Sequence, residues 1–357
     1  MSGRTLMEGS AAMSEAAIQA GCRFYAGYPI TPSTEILEYM SARLPEVGGV
    51  CMNAESELEA IGMVWGAAGC GVRAMIASTG QGISLMQESF AELANAEIPF
   101  LGVNMGRGQG DYFQATRGGG HGDYRHIVLA PASAQEAADC AQLGFHLADK
   151  WRNPVLIMGD FLLAHTSEIV DVHKLDFPAL PPKTWAITGA VGRRGINLSP
   201  IMAPEKLSSD HGAHLSRSLA KHAAIKAEET RAETGFLDDA EVVVVAFGMP
   251  GRFARYAAKL ARERGMRVGF VRPITLWPFP SAAIAAAATH ARAIAVFELN
   301  AGQMIDDVEL AVRGRVPVHA IGGVSHDHSG FGVGPLLDVE HVLRRIVEVY
   351  EDRRASA

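Results

Sequence analysis

Apolar residues in the first 165 positions fall into short runs: Cys22 to Ala26, Val72 to Ala77, Pro99 to Val103, Ile127 to Leu129 and Pro154 to Met158. Runs of this length, bounded by turn-forming and charged residues, predict buried strands. Between them the apolar positions recur three and four apart, as over Ser84 to Ala96 and Ala134 to Ala148, which predicts helices. That alternation predicts a parallel sheet covered by helices. The pattern returns in Glu241 to Phe247, Arg267 to Val271, Ala293 to Glu298 and Val316 to Gly322, with a helix over Gly251 to Arg264. The expected fold class is therefore α/β, with two domains, each a mainly parallel sheet covered by helices. Their expected bounds are 1–178 and 237–357. The polar stretch between them, 179–236, is long for a linker and is expected to wrap a neighbour and to carry a helix in its later part.

A length of 357 residues accommodates two cores of ordinary composition. The formal charge of −7 offers no basic footprint for nucleic acid and no polybasic patch for a membrane surface. No signal-like stretch opens the chain and no run of roughly eighteen apolar residues interrupts it, so a cytoplasmic protein is expected. Cys22, Cys51, Cys70 and Cys140 lie far apart and read as thiols in a reducing compartment. An iron–sulfur cluster takes closely grouped cysteines, so any cluster this protein serves belongs to another chain. No metal site of its own is expected.

The most informative helix is NAESELEAIGMVWGAAG, Asn53 to Gly69. Asn53 or Ser56 can cap it, and Glu55, Glu57 and Glu59 crowd a first turn where negative charge suits the macrodipole. At about 100° per residue, Leu58, Ile61, Val64, Trp65 and Ala68 form a stripe that includes Glu57, while Glu55 and Glu59 fall opposite. Glu57 is therefore expected to point inward, where an ionised carboxyl needs a specific partner. Gly62 and Gly66 let another backbone approach the opposite side, so a subunit or domain contact is expected there.

After the next strand, STGQGISLMQE (Ser78 to Glu88) reads as a turn with Gly80 and Gly82 entering a helix. Such a turn can receive an anionic or heterocyclic ligand, but the spacing matches neither of the common nucleotide fingerprints. Earlier, YAGYPITPSTEI (Tyr25 to Ile36) carries two prolines where a strand-to-helix turn needs one at most. The plain reading is a helix-initiating turn in which Thr31 caps its own helix. The functional one is a rigid mount for the Thr31 hydroxyl.

These stretches, followed by QGDYFQATRGGGHGDYRHIVLAPASAQEAAD, VGFVRPITLWPFP and FELNAGQM, run in order along nearly the whole chain. Together they resemble the alpha subunits of 2-oxoacid:ferredoxin oxidoreductases, most closely the branched-chain 2-oxoisovalerate type. The resemblance implies a thiamine-diphosphate enzyme whose first domain binds the pyrimidine and whose second is like the transketolase C-terminal domain. It implies that Glu57 contacts the cofactor's aminopyrimidine and promotes the tautomer whose nitrogen removes the thiazolium proton. Thr31, held by Pro29 and Pro32, would face the substrate carboxylate, and Tyr28, Pro29, Ile30, Thr79, Gly80 and Gln81 would line the cofactor. A beta subunit would supply the diphosphate and Mg2+ site and a [4Fe-4S] cluster; this chain has neither a G-D-G motif nor clustered cysteines. Coenzyme A is the implied co-substrate and ferredoxin or a similar protein the acceptor, with a small gamma subunit left open.

Relatives carry a longer loop where this chain passes from Asn104 to Asp111 through MGRGQG. The candidates for the carboxylate-binding arginine are then Arg107, Arg117 or neither, with Arg117 preferred. His121, in a glycine-rich hinge, is a lesser candidate for proton transfer. The His326-Asp327-His328 triplet lacks further ligands at metal-site spacing and reads as a solvated turn. Two rival readings share the fold: the beta chain of a lipoamide-type 2-oxoacid dehydrogenase, and a non-catalytic scaffold subunit.

Overall fold

The computed structural model describes residues 3–189, 207–324 and 337–352. The His326–His328 triplet lies outside them. Along the first half the strands are β1 (Thr5–Glu8), β2 (Cys22–Gly27), β3 (Val50–Asn53), β4 (Arg73–Ser78), β5 (Leu101–Gly106), β6 (Ile127–Leu129), β7 (Val155–Asp160) and β8 (Ser167–Val170). The second half adds β9 (Ala232–Gly235), β10 (Val242–Val245), β11 (Val268–Pro273), β12 (Thr275–Trp277), β13 (Ala293–Val296) and β14 (Val318–Ala320).

A seven-stranded sheet runs in the order β12-β6-β7-β5-β4-β2-β3, parallel throughout except at its β12–β6 edge. A five-stranded sheet runs β14-β13-β10-β11-β9, parallel except where β9 joins β11. Two α/β domains result, as the alternation of runs and helices predicts. The all-valine β10 is buried on both faces. Val243 and Val245 join the large core that continues into the first domain, and Val242 and Val244 pack into a separate core under the helices Gly248–Glu263 and Val339–Glu351.

Strand β12 leaves its own domain and pairs with β6 of the other sheet, so the segment Val268–Trp277 threads both domains. Arg272 on β11, almost fully buried, fastens that seam. Its guanidinium donates twice to Glu136, at 2.9 and 2.8 Å, and once to Glu233, at 2.7 Å. Such a fork-to-carboxylate pairing is what satisfies a buried guanidinium.

The connector carries a helix, Leu207–Glu228, in its later part, as expected. Its described parts dock on the first domain of the same chain. Lys183 pairs with Asp149 at 2.7 Å, Ile187 N–H donates to Gly69, and Lys150 and Trp151 both reach buried Glu229. Strand β9, inside the stretch expected to be connector, belongs to the second sheet. Among the described residues no helix is long and apolar enough to cross a membrane.

Candidate active site

β3, β2, β4 and β5 are consecutive parallel neighbours, so their C-terminal ends open on one edge of the sheet. The chain leaving each strand carries predicted residues: Tyr28–Thr31 after β2, Glu57 after β3, Thr79–Gln81 after β4 and Arg107 after β5. The crevice outside such strand ends is where open parallel sheets bind ligands. Topology alone thus brings together residues far apart in sequence.

Glu57 is the first residue of helix Glu57–Gly69 and is only 5% exposed, as its place on the wheel predicts. Ser56 caps the helix by accepting from Glu59 N–H. The buried stripe runs through Glu57, Ala60, Ile61, Val64 and Ala68. Leu58, expected on that stripe, faces outward at 54% exposure because it sits about 100° round from Glu57. The partner a buried carboxyl requires is Ser78, at the end of β4, whose hydroxyl donates to Glu57 Oε1 at 3.2 Å. Both press against Gly82: a Cβ there would lie 2.0 Å from Ser78 Oγ and 2.3 Å from Glu57 Oε1.

The turn after β2 is exposed at Tyr28, Pro29 and Thr31 and half-buried at Ile30. The Thr31–Pro32 peptide is cis. Thr31 does not cap a helix: the helix begins at Thr34, its N-cap position is Ser33, and Ser33 closes the turn through its N–H and hydroxyl to the Ile30 carbonyl. Thr31 itself lies exposed just beyond the end of β2. Thr79 is buried and its hydroxyl donates to the Met105 carbonyl, which makes it a brace between β4 and β5; Gly80 is half-buried and Gln81 exposed.

A cleft of about 490 Å3 opens between the domains, lined by Thr79, Gly80, Gln81 and Arg107 on one side and Asn300 and Gln303 on the other. The short passage from Asn104 to Asp111 folds back on itself, with the Asn104 amide donating to the Asp111 carboxylate at 3.1 Å. Burial pushes the Asp111 carboxyl above its ordinary range, against that hydrogen bond and the charge of Arg107. Arg107 itself is exposed at the cleft. Arg117, the preferred arginine from sequence, is committed elsewhere: it donates to Asp307 at 2.8 Å and lies over the Phe113 ring at 5.0 Å.

The motifs on either side of this cleft hold each other. Gln109 donates to Phe247 O at 3.0 Å and accepts from Leu299 N–H at 2.9 Å, while Asn300 donates back to Gln109 O. Gln303 accepts from Phe113 N–H and donates to Gly110 O, and Tyr112 donates to Asp307 at 2.6 Å. Buried Glu298 accepts from the N–H groups of Gln303, Met304 and Ile305, capping the helix Met304–Val312. QGDYF and FELNAGQM are thus two halves of one clasp.

His121 lies away from this clasp, on an exposed loop, with its ring nitrogens 3.3 Å from Glu88 and 3.1 Å from Glu92. Burial holds the Cys22, Cys51 and Cys140 thiols up, at about 12, 11 and 12, which makes them poor nucleophiles; Cys70 is exposed. Sequence reasoning gave no role to Ser78 or Asp111, and it read Gly82 as part of a turn able to receive a ligand, not as a neighbour of Glu57. Gly82 could have been found from its spacing, four residues beyond a strand-ending serine; Asp111 has no such signal.

Comparison with known proteins places this architecture. Residues 15–188 match the family described as pyruvate flavodoxin/ferredoxin oxidoreductase, thiamine diphosphate-binding, and residues 240–329 match pyruvate:ferredoxin oxidoreductase core domain II. The chain belongs to the 2-oxoacid:ferredoxin oxidoreductase family and is a subunit of a thiamine diphosphate-dependent enzyme, which sets aside the lipoamide-type and scaffold readings. It is 39% identical to the ketoisovalerate oxidoreductase subunit VorB of Methanothermobacter thermautotrophicus, over 97% of this chain and 98% of the relative. It is 37% identical to the 2-oxoglutarate synthase subunit KorA of the same organism, over 90% of this chain and 95% of the relative.

Among solved structures, the 2-oxoglutarate:ferredoxin oxidoreductase of Magnetococcus marinus, with 2-oxoglutarate, coenzyme A and succinyl-CoA bound, superposes with a TM-score of 0.83 at 25% identity. This chain is covered to 98% and spans 65% of that longer one. A split-gene transketolase, an inactive beta4 tetramer, shares the fold alone, with a TM-score of 0.59 at 13% identity over 99% of this chain and 100% of that one. The second domain is transketolase C-terminal-like, as the resemblance implies.

Proposed function

We propose that this chain is the alpha subunit of an enzyme that converts a branched-chain 2-oxoacid and coenzyme A to acyl-CoA, CO2 and a proton. The electron pair passes to an iron–sulfur cluster in a beta subunit and on to ferredoxin in the cytoplasm. The observation that carries this reading is Glu57, a buried carboxyl at the shared edge of the parallel strands. It fits an aminopyrimidine: Oε1 is held by Ser78, and among the described residues no donor reaches Oε2. Glu57 would hold a proton at the ring nitrogen, with Tyr28, Pro29, Ile30, Thr79, Gly80 and Gln81 as walls, and Thr31 with Arg107 would orient the substrate carboxylate. Thiamine diphosphate, when bound, supplies the carbon that attacks the 2-oxo group.

The half-built character of the site supports a partner. Beside Glu57, Leu58 and Met63 are exposed, Gly62 and Gly66 face open space, and the edge strand β3 exposes Val50 and Met52. A beta subunit bringing the diphosphate and Mg2+ site would cover this face. For the substrate, identities of 39% and 37% to the two kinds of relative do not separate them. The cleft does favour one: with Arg117 tied to Asp307, Arg107 is the arginine left to meet a carboxylate. Among the described residues that line the cleft, Arg107 is the one cation, which suits a 2-oxo monocarboxylate better than 2-oxoglutarate with its second carboxylate. The test is the complex purified with its native partners, assayed for coenzyme A-dependent ferredoxin reduction. We expect kcat/KM for 2-oxoisovalerate about tenfold or more above that for 2-oxoglutarate. The reverse order would overturn the substrate assignment, and a complex without a thiamine-binding companion would overturn the whole proposal.

A further inference from the structure

Ser78 is fully buried, ends the interior strand β4 and spends its hydroxyl on a carboxylate from a different element. We infer that Ser78 is a positioning residue: it fixes Glu57 Oε1 so that Oε2 is the oxygen presented to the cofactor's pyrimidine. This rests on the role proposed for Glu57 and adds to it a residue that sets the carboxyl's orientation.

The geometry leaves the carboxyl little freedom. Strand β4 fixes the hydroxyl, and the first turn of helix Glu57–Gly69 fixes the carboxyl's stem. The backbone of Gly82 closes the space above both, at a position where any Cβ would meet Ser78 Oγ at 2.0 Å and Glu57 Oε1 at 2.3 Å. A carboxylate held through one oxygen by a group on a rigid strand keeps its plane, whereas an unheld one turns about its last torsion. Glycine at 82 is therefore required by the pair beneath it.

The test uses the complex with its thiamine-binding partner and reads thiamine diphosphate affinity, in the presence of Mg2+, by calorimetry, beside kcat, KM and thermal stability. Ser78→Ala should weaken cofactor binding about tenfold and lower kcat, with KM for the 2-oxoacid within about twofold and a modest fall in melting temperature from the donor the carboxyl loses. In a Glu57→Ala background the same change should add no further loss, because its effect passes through the carboxyl. Gly82→Ala, which drives a methyl into the pair, should weaken the cofactor at least as much, and it guards against a water replacing the lost hydroxyl. Cofactor affinity within about twofold of wild type in both Ser78→Ala and Gly82→Ala would overturn the inference. So would an equal loss from Ser78→Ala with and without Glu57, since that marks mere packing. Unchanged affinity and turnover in Glu57→Ala alone would instead overturn the role given to Glu57, on which the inference rests.

Discussion

Arg107 lies just before the short helix Tyr112–Arg117 and Arg117 ends it, yet they meet opposite fates. Arg117 spends its charge on Asp307 and its face on Phe113, whereas Arg107 stands exposed at the cleft, near Asp111. Arg107→Ala is therefore expected to raise KM for the 2-oxoacid about tenfold or more. Arg117→Ala should leave KM unchanged and cost about 1 kcal/mol of stability, as an ion pair with one half-exposed partner does. Steady-state kinetics and thermal melts of the two variants separate these roles. A second residue-scale effect is electrostatic. His126 is buried against Phe90 and Tyr124, and burial holds its imidazole down at about 4. The unfolded chain takes up this proton near pH 6.5 and the folded chain does not, so the stability it contributes is intact above 6.5 and falls as pH drops toward 4. Asp160, pushed up to about 6 by burial, acts in the opposite sense over much of that range. The comparison must therefore be between wild type and His126→Phe: by denaturant unfolding, the variant should lose about 3 kcal/mol less than wild type between neutral pH and pH ~4.

At the scale of elements, the clasp between Gln109–Phe113 and Leu299–Gln303 decides whether the cleft keeps its walls. Gln109 is almost fully buried and satisfies backbone groups of Phe247 and Leu299 at once. Gln109→Ala orphans the Leu299 N–H and leaves the Phe247 carbonyl with the Gly251 N–H alone, so a loss of about 1–3 kcal/mol is expected in denaturant unfolding, with the cleft rather than Glu57 affected. The elements the sequence disclosed are those whose physics is local. Buried parallel strands such as Val242–Val245 read as unbroken apolar runs, and Ala134–Trp151 reads as a long amphipathic helix. Those it concealed depend on distant partners. β1 and β8 pair only with each other, with Leu6 and Ile169 both 69% exposed. β9, AETG, carries no apolar signal, and β12 leaves its own sheet for another. The expected helix Ser84–Ala96 divides at Met86 into Gly80–Leu85 and Gln87–Asn95, a break that apolar periodicity does not register.

For the whole molecule, the proposed site lies at an edge of the sheet with an exposed apolar face beside it. The burial of Glu57 was legible because an acidic residue on an apolar stripe has a direction, and the tight turn at Thr31 because two prolines bracket it. The pairing of Arg117 was not legible, since its partner Asp307 lies far off in sequence. The uncovered face carries its own prediction. A side chain at Gly62 meets nothing within 4 Å in this chain, so Gly62→Arg should leave the isolated chain as stable as wild type or slightly more so. Its association with the beta subunit should weaken at least about tenfold by calorimetric titration, if that face is where the partner sits. The most direct test of the central claim is 2-oxoacid-dependent ferredoxin reduction by the reconstituted complex carrying Glu57→Gln, which keeps the side chain's shape and removes its acid. The account predicts turnover reduced by about a hundredfold or more, with assembly and melting temperature unchanged; turnover within about twofold of wild type would contradict it.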